Sequence, residues 1–488
     1  MVVLSGTQVF AFDKGGYFVI KKAWEYERDW IENAVPPTVE QSCEQSWLEY
    51  LEAGKASDKK LFTDWFSVVP GSKAPCHLVV AAIQSMDNRG YNVTEAEKYI
   101  EAGLQAEKEK DGAAIQQITA KIYYLLNTAK KDDTSSYWNY KHYRTWQDIE
   151  EEVIFPEPIE IDVFCDAFAQ KVTYGWLGQL IGGALGTQIE GYTAENIKKK
   201  FGDVKGYLRE PETYNDDITY ELAFLEGFCQ KGYEITAEDI AEQWLALIAD
   251  GYSAEEIALS NLRRGILPPE SGTIGNYFYD WIGAQMRTAI HGMVAPGNPK
   301  LAAKLAIYDS MISHSNNGMI GGMFNAVLVS LSFVEKDAKI LLQKTISLLP
   351  QKSEYASIVS FVLEQCKKYH TWQEAWRVCE EYFKEYHWIH AYPNAAAEVV
   401  ALWYGENDFE KTAYIICMLG QDVDCTAAPI LNALAILIDF NGVDQKKYVQ
   451  PLGDTICTMM RKMQQFTITE LCDKTVKAIR NACQKRRE

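Results

Sequence analysis

No Cys-x-x-Cys pair occurs anywhere in the 488 residues, although eleven cysteines are scattered along them. A zinc ribbon and a dithiol redox centre both depend on that spacing, so neither is expected. The cysteine count is odd, and the opening MVVLSGTQVFAFDKGGYFVIKK lacks the basic start and apolar core of a secretory signal. Reduced thiols in a cytoplasmic protein are the expectation. Long hydrophobic runs are missing as well. No stretch reaches the about 18 apolar residues of a membrane-crossing helix, and the apolar WLGQLIGGALG is short and rich in glycine. Positive charge is scarce: 48 Lys and Arg face 67 Asp and Glu, a formal charge of -19. A phosphate backbone requires clustered Lys and Arg, and the basic cluster in the terminal QKRRE is too short to supply them. Neither nucleic acid nor a membrane is expected as a partner.

Apolar residues make up 47% of the chain, enough for a sizeable core. The length suggests one large domain with an extension. Residues 5–22 alternate weakly around DKGG and read as a small hairpin. From Lys22 to Glu152 the chain reads as helices between polar loops, among them TEAEKYIEAGLQAEKEK and DGAAIQQITAKIYYLLNTAKK. Two prolines and three acids in FPEPIEID, Phe155 to Asp162, mark a boundary. Beyond it, helix signals follow one another with short loops. In YSAEEIALSNLRRG, Ser253 and Glu256 form a capping box and Gly265 closes the helix; ITAEDIAEQWLALIADG repeats the pattern with Thr236, Asp239 and Gly251. The expected fold class is all-α: a compact multi-helix domain over 161–488, preceded by a mostly helical extension over 1–160 of unknown role. The similar tetrapeptides Thr145-Trp146-Gln147-Asp148 and Thr371-Trp372-Gln373-Glu374 are too short to define a repeat.

Four stretches could carry chemistry. In YNDDITYELAFLEGF, Asp216 and Asp217 open an amphipathic helix. Acids in a first turn suit the helix dipole, so a cap explains them as well as a metal does. Asp132-Asp133-Thr134, flanked by lysines and small polar residues, shows what a merely solvated pair looks like. The only Asp-x-Asp in the chain, Asp422 and Asp424, stands between Gly420 and a helix of small residues. Two such helix entrances facing each other would offer four carboxylates, enough for two hard divalent cations. Gly178, Gly182 and Gly186 recur every four residues and share a helix face, with Glu190 just beyond. Finally, GAQMRTAIHGM is followed by a polar SHSNNG break that contains His314.

Taken in order, these stretches resemble the ADP-ribosylglycohydrolase family, which includes the dinitrogenase-reductase-activating glycohydrolases. The family's Gly-Asp-x-x-Gly-x-x-x-Glu is matched by Gly182-Gly183-Ala184-Leu185-Gly186-Thr187-Gln188-Ile189-Glu190. Its Thr-Asp-Asp-Thr is matched by Asn215-Asp216-Asp217-Ile218, and its Gly-Gly-Asp-x-Asp-Thr by Gly420-Gln421-Asp422-Val423-Asp424-Cys425. Gly283, Met286 and Arg287, then Ser313-His314, resemble its Gly-x-x-Met-Arg and Thr-His segments. The resemblance covers about residues 170–440 and leaves residues 1 to about 160 without a counterpart. Gly183, Asn215, Ile218 and Cys425 depart from the pattern, and Trp281 and Ile282 replace smaller or more polar residues before Gly283.

The resemblance implies hydrolysis of the glycosidic bond between ADP-ribose and a modified protein side chain or other acceptor. It implies a cofactor of Mg2+ or Mn2+, two ions, and ADP-ribose or an ADP-ribosylated substrate as partner of a monomer. Asn215, Asp216, Asp217, Asp422, Asp424 and Cys425 would then hold metal. Glu190, Asp217 and Asp422 would serve catalysis, and Gly283, His314 and Gly420 would meet substrate. A thiol suits softer metals than Mg2+, so with these departures either the metal site is altered or one metal position is weakened. The departures leave two alternatives: a weakened member that binds ADP-ribose or blocks a partner, or a related N-glycosidase.

Overall fold

The computed structural model describes residues 21–38 and 47–487. The hairpin expected over 5–22 lies almost wholly outside the described residues. Contacts divide the chain into two units, Met1–Lys60 and Leu61–Glu488. In the first, the Ala23–Asn33 helix has no buried residue. Local bonds hold it: the Lys22 N–H donates to Glu25 at 2.6 Å, and Arg28 pairs with Glu32 one turn on at 2.5 Å.

The second unit is all-α. Among the described residues, its sheets are only short two-stranded pairs, such as β1 (Ser67–Val68) with β2 (Pro75–Cys76), and β3 (Tyr192–Thr193) with β4 (Gly420–Gln421). The Asn316–Ser332 and Val423–Leu437 helices are buried at every position. A helix apolar all round must lie in a core, and these two form its centre. No helix among the described residues is long and apolar enough to cross a membrane.

Glycine decides the closest packing. A Cβ at Gly178 would lie 2.3 Å from the Leu431 carbonyl oxygen, one at Gly182 2.5 Å from Ala427 and Ala428, and one at Gly186 2.0 Å from the Asp424 amide nitrogen. The expected glycine face of the Asp166–Gly186 helix therefore rests directly on the Val423–Leu437 backbone. Residues 61–160 belong to the same unit. Buried Arg89 lies over the Tyr279 ring at 3.9 Å, and Ser85 Oγ donates to the Tyr277 carbonyl at 2.6 Å. Tyr137 and Tyr143 both bond to Asn316 at 3.1 Å, so the earlier helices are tied into the later core.

Local sequence signals hold with three adjustments, the first being that the helix Gly251 was expected to close already ends at Leu247. Thr236 and Asp239 form a capping box, and the two look-alike tetrapeptides are both capping boxes too. Ser253 does not cap: it lies inside the Ser253–Arg263 helix, with Tyr252 at the cap and no side-chain bond there. The run TEAEKYIEAGLQAEKEK forms two helices, Thr94–Glu97 and Ile100–Glu109, rather than one. Asp132 accepts from Thr134 in an exposed loop, as its surroundings suggest.

The core also holds Glu398, fully buried on the Ala391–Gly405 helix, where one oxygen accepts from Asn325 at 3.0 Å and the other has no partner. Burial pushes its carboxyl from 4.5 up to about 8. The folded chain therefore keeps a proton that the unfolded chain releases above 4.5, and stability falls as pH rises through that window. Glu398→Gln lacks this slope. Its denaturation midpoint is expected to gain on the wild type progressively between pH 4.5 and about 8, and an unchanged difference would refute the buried acid.

Candidate metal centre

The Asp216–Lys231 helix begins where Asn215 Oδ1 accepts the Ile218 N–H at 3.3 Å. Of the following aspartates, Asp216 is half-buried and Asp217 keeps only 1% of its surface exposed. Neither of its carboxylate oxygens has a hydrogen-bond partner in the protein. The second aspartate pair stands at the entrance of the Val423–Leu437 helix, with Asp422 at the cap position but making no cap bond. Its backbone is anchored instead: the Asp422 N–H donates to Asn394 at 3.0 Å, and its carbonyl accepts from Thr426 N–H and Oγ1. Asp422 Oδ1 and Asp424 Oδ1 are also buried without partners.

Glu190 reaches this place through backbone pairing. β3 and β4 match Tyr192 with Gln421 and Thr193 with Gly420, and the Gly191 N–H donates to the Gln421 carbonyl at 2.8 Å. Gly420 has φ +74°, and a Cβ there would lie 2.1 Å from the Tyr192 oxygen, so both the turn and the close approach require glycine. The pairing sets Glu190 beside the second aspartate pair.

The charges register this convergence. Burial first, and then the charges of Asp424, Asp422 and Asp216, hold Glu190 well above the carboxylate range. Burial and then Asp424, Asp216 and Asp422 do the same for Asp217; burial and chiefly Asp424 raise Asp422. Burial with the Asp216 charge pushes Asp424 up to about 6. Burial also raises Asp216, against the pull of the Arg287 cation. One ligand atom each from Asp422, Asp424 and Cys425 lie within 4.8 Å of one another. Buried carboxylates that crowd each other and lack donors suit a divalent cation, which would relieve the repulsion and fill the empty acceptor positions. The residues present therefore fit a metal.

The ADP-ribosylglycohydrolase family model matches residues 165–485. The chain belongs to the ADP-ribosylglycohydrolase family. A protein of Archaeoglobus fulgidus described as uncharacterised is 27% identical over 203 residues, which span 38% of this chain and 65% of that relative. A solved ADP-ribosylglycohydrolase-related protein complex shares 18% identity with a TM-score of 0.49, covering 65% of this chain and 100% of its own.

Within the ADP-ribosylglycohydrolase pattern, two departures prove to be neighbours. A Cβ at Gly183 would lie 2.4 Å from Asn215 Nδ2, with no other residue within 4 Å. The Asn215 amide thus occupies the room that a side chain at 183 would take, and its oxygen is already engaged by the Ile218 N–H. Ile218 itself is buried and apolar and offers no ligand atom. Beside them lies a cavity of about 10 Å³ lined by Gln179, Asn215, Asp217 and Ile218 among others. Gln179 is 2% exposed with both amide atoms unpartnered, which suits one bridging water. Sequence reasoning missed Gln179; an amide in the apolar C-terminal half of its helix was its only signal.

It also missed the turn between β1 and β2, which lies ahead of the residues that the family model matches. A Cβ at Gly71 would lie 2.3 Å from the Thr187 oxygen and 3.2 Å from Glu190 Oε1. Tyr192 Oη donates to the Ser72 carbonyl at 3.0 Å. The turn therefore packs on Glu190, whose exposure is 7%. Nothing in the local sequence could reveal that contact.

Gly283 and His314, expected to meet substrate, are both buried around Arg287. Arg287 Nη1 donates to Glu255 and to the Gly283 carbonyl, each at 2.7 Å; Nε donates to Asp309 at 2.5 Å and Nη2 to Ser313 at 3.0 Å. A Cβ at Gly283 would lie 2.0 Å from Glu255 Oε1, which explains the glycine. His314 pairs its Nδ1 with the Ser313 hydroxyl at 2.7 Å, and burial with the Arg287 charge holds it neutral. The structure brings Glu190 and the four aspartates together with Cys425 and Asn215. It sets Gly283 and His314 in the Arg287 network adjoining them.

Proposed function

We propose that this chain is a metal-dependent hydrolase of the bond between ADP-ribose and an acceptor group. The observation that carries the reading is the meeting of Asp216–Asp217 and Asp422–Asp424 with Glu190 in one buried centre with unpartnered oxygens. Asp216, Asp217, Asp422 and Asp424 would hold divalent metal, which supplies a Lewis acid and a water of lowered pKa. Cleavage builds positive charge on the ribose ring, and the negative surroundings favour it. The bond from the anomeric carbon breaks with its electron pair on the acceptor, water oxygen joins that carbon, and a proton ends on the acceptor. Glu190, a carboxyl with a raised affinity for protons, is placed to carry that proton. The described cysteines are all unpaired, which suits a reducing compartment; the proposal places the enzyme in the cytoplasm as a monomer.

Metal-stripped protein incubated with an ADP-ribosylated protein substrate should release no ADP-ribose until divalent metal is restored. Ile218, which offers no ligand atom, favours a second reading as an ADP-ribose-binding protein without turnover. Calorimetric binding of ADP-ribose with no release under any metal would support that reading and overturn the first.

A further inference from the structure

The sulfur of Cys425 is the one donor in this centre that a magnesium site has no use for. Its ligand atom lies within 4.8 Å of those of both Asp422 and Asp424, and the thiol donates to the Met286 thioether at 3.7 Å. Cys425 stands in the first turn of the 15-residue Val423–Leu437 helix, one residue after Asp424, and is buried. The neutral oxygen donors of the family pattern are meanwhile depleted. Ile218 offers none, and the Asn215 oxygen is engaged by a backbone N–H. The unpartnered oxygens of Asp217, Asp422 and Asp424 independently call for a cation.

On the strength of the metal-hydrolase reading above, we infer that Cys425 is itself a metal ligand and that the centre selects a thiophilic divalent cation, of the Zn2+ or Co2+ kind, over Mg2+. Mg2+ requires near-octahedral oxygen at about 2.0–2.1 Å. Zn2+ and Co2+ accept mixed sulfur and oxygen donors, with sulfur at about 2.3 Å for Zn2+. Coordination exchanges the thiol proton for the cation and releases the proton to the medium. No electron transfer is involved.

The test titrates the metal-stripped full chain with Co2+, beside Cys425→Ser, Cys425→Thr and Asp217→Asn, each first checked for a native circular dichroism spectrum. The wild type should develop a near-ultraviolet sulfur-to-cobalt charge-transfer band. Zn2+ should displace the Co2+, and equimolar Mg2+ should not. Both Cys425 variants should lose the band, keep cobalt through the carboxylates, and lower the preference over Mg2+ by about 10-fold or more. Cobalt bound without that band, or an equal preference in the Cys425 variants, overturns the inference and leaves the metal-hydrolase reading standing. No binding of Co2+ or Mg2+, or binding indifferent to Asp217→Asn, overturns both.

Discussion

Asp424→Asn is expected to make the metal-free protein more stable and the metal-loaded protein less so. Without metal, Asp424 is one of several buried carboxylates that raise one another's proton affinity. Replacing it by a neutral amide removes like-charge repulsion at little steric cost. Its Oδ1 has no partner to lose. On the proposed reading the same oxygen would be a metal ligand, and its loss should exceed the about 10–100-fold that even supporting groups cost in affinity. Thermal melts in chelator and in saturating divalent cation read both signs. At about 100 times its dissociation constant, a cation adds about 2.7 kcal/mol to the wild type. The variant should lose most of that gain while its melt in chelator rises. Parallel behaviour of Asp217→Asn, from the other aspartate pair, would tie both pairs to one ion. If Asp424→Asn were destabilised in chelator and still responded fully to metal, Asp424 would be a structural cap.

Arg287→Met is expected to cost about 3–5 kcal/mol, the usual range for breaking one side of a buried ion pair. Arg287 is fully buried against Glu255 and Asp309, with its guanidinium 4.7 Å from the Trp244 ring. Removing it leaves two carboxylates without their cation in a dry site. Burial already pushes Glu255 up to about 7 even with Arg287 present. Without Arg287 its proton affinity rises further, so the loss should grow as pH rises above 7. Arg287→Lys should not rescue, because one ammonium cannot span the acceptors that the planar fork reaches. Breaking the exposed Lys367–Glu364 pair should change nothing measurable. Urea denaturation of the set at two pH values decides it, and equal stability of Arg287→Met and wild type would refute the role.

Much of this was legible in the chain. Helical spacing showed the all-α class because a helix face repeats every few residues. Glycine every fourth residue from Gly178 to Gly186 exposed a backbone face, and the structure lays that face on the Val423–Leu437 helix. The aspartate pairs were visible as helix entrances, and both are. Asp132 and Asp133 stood apart as a loop pair because lysines and small polar residues surround them.

Other features had no local signature. Asn215 occupies the room beside Gly183, the Gly71 turn rests on Glu190, and Arg287 draws Gly283 and His314 into its own network. The sequence by itself determined which segments become helices and where carboxylates sit on their first turns. These depend on residues within about one helical turn of each other. Only the tertiary structure decided that aspartates at 216–217 and 422–424 share one place, and that a turn near residue 71 lies over it. Such contacts follow from how buried surfaces fit together across the whole core, and no short window of sequence contains both sides of the fit.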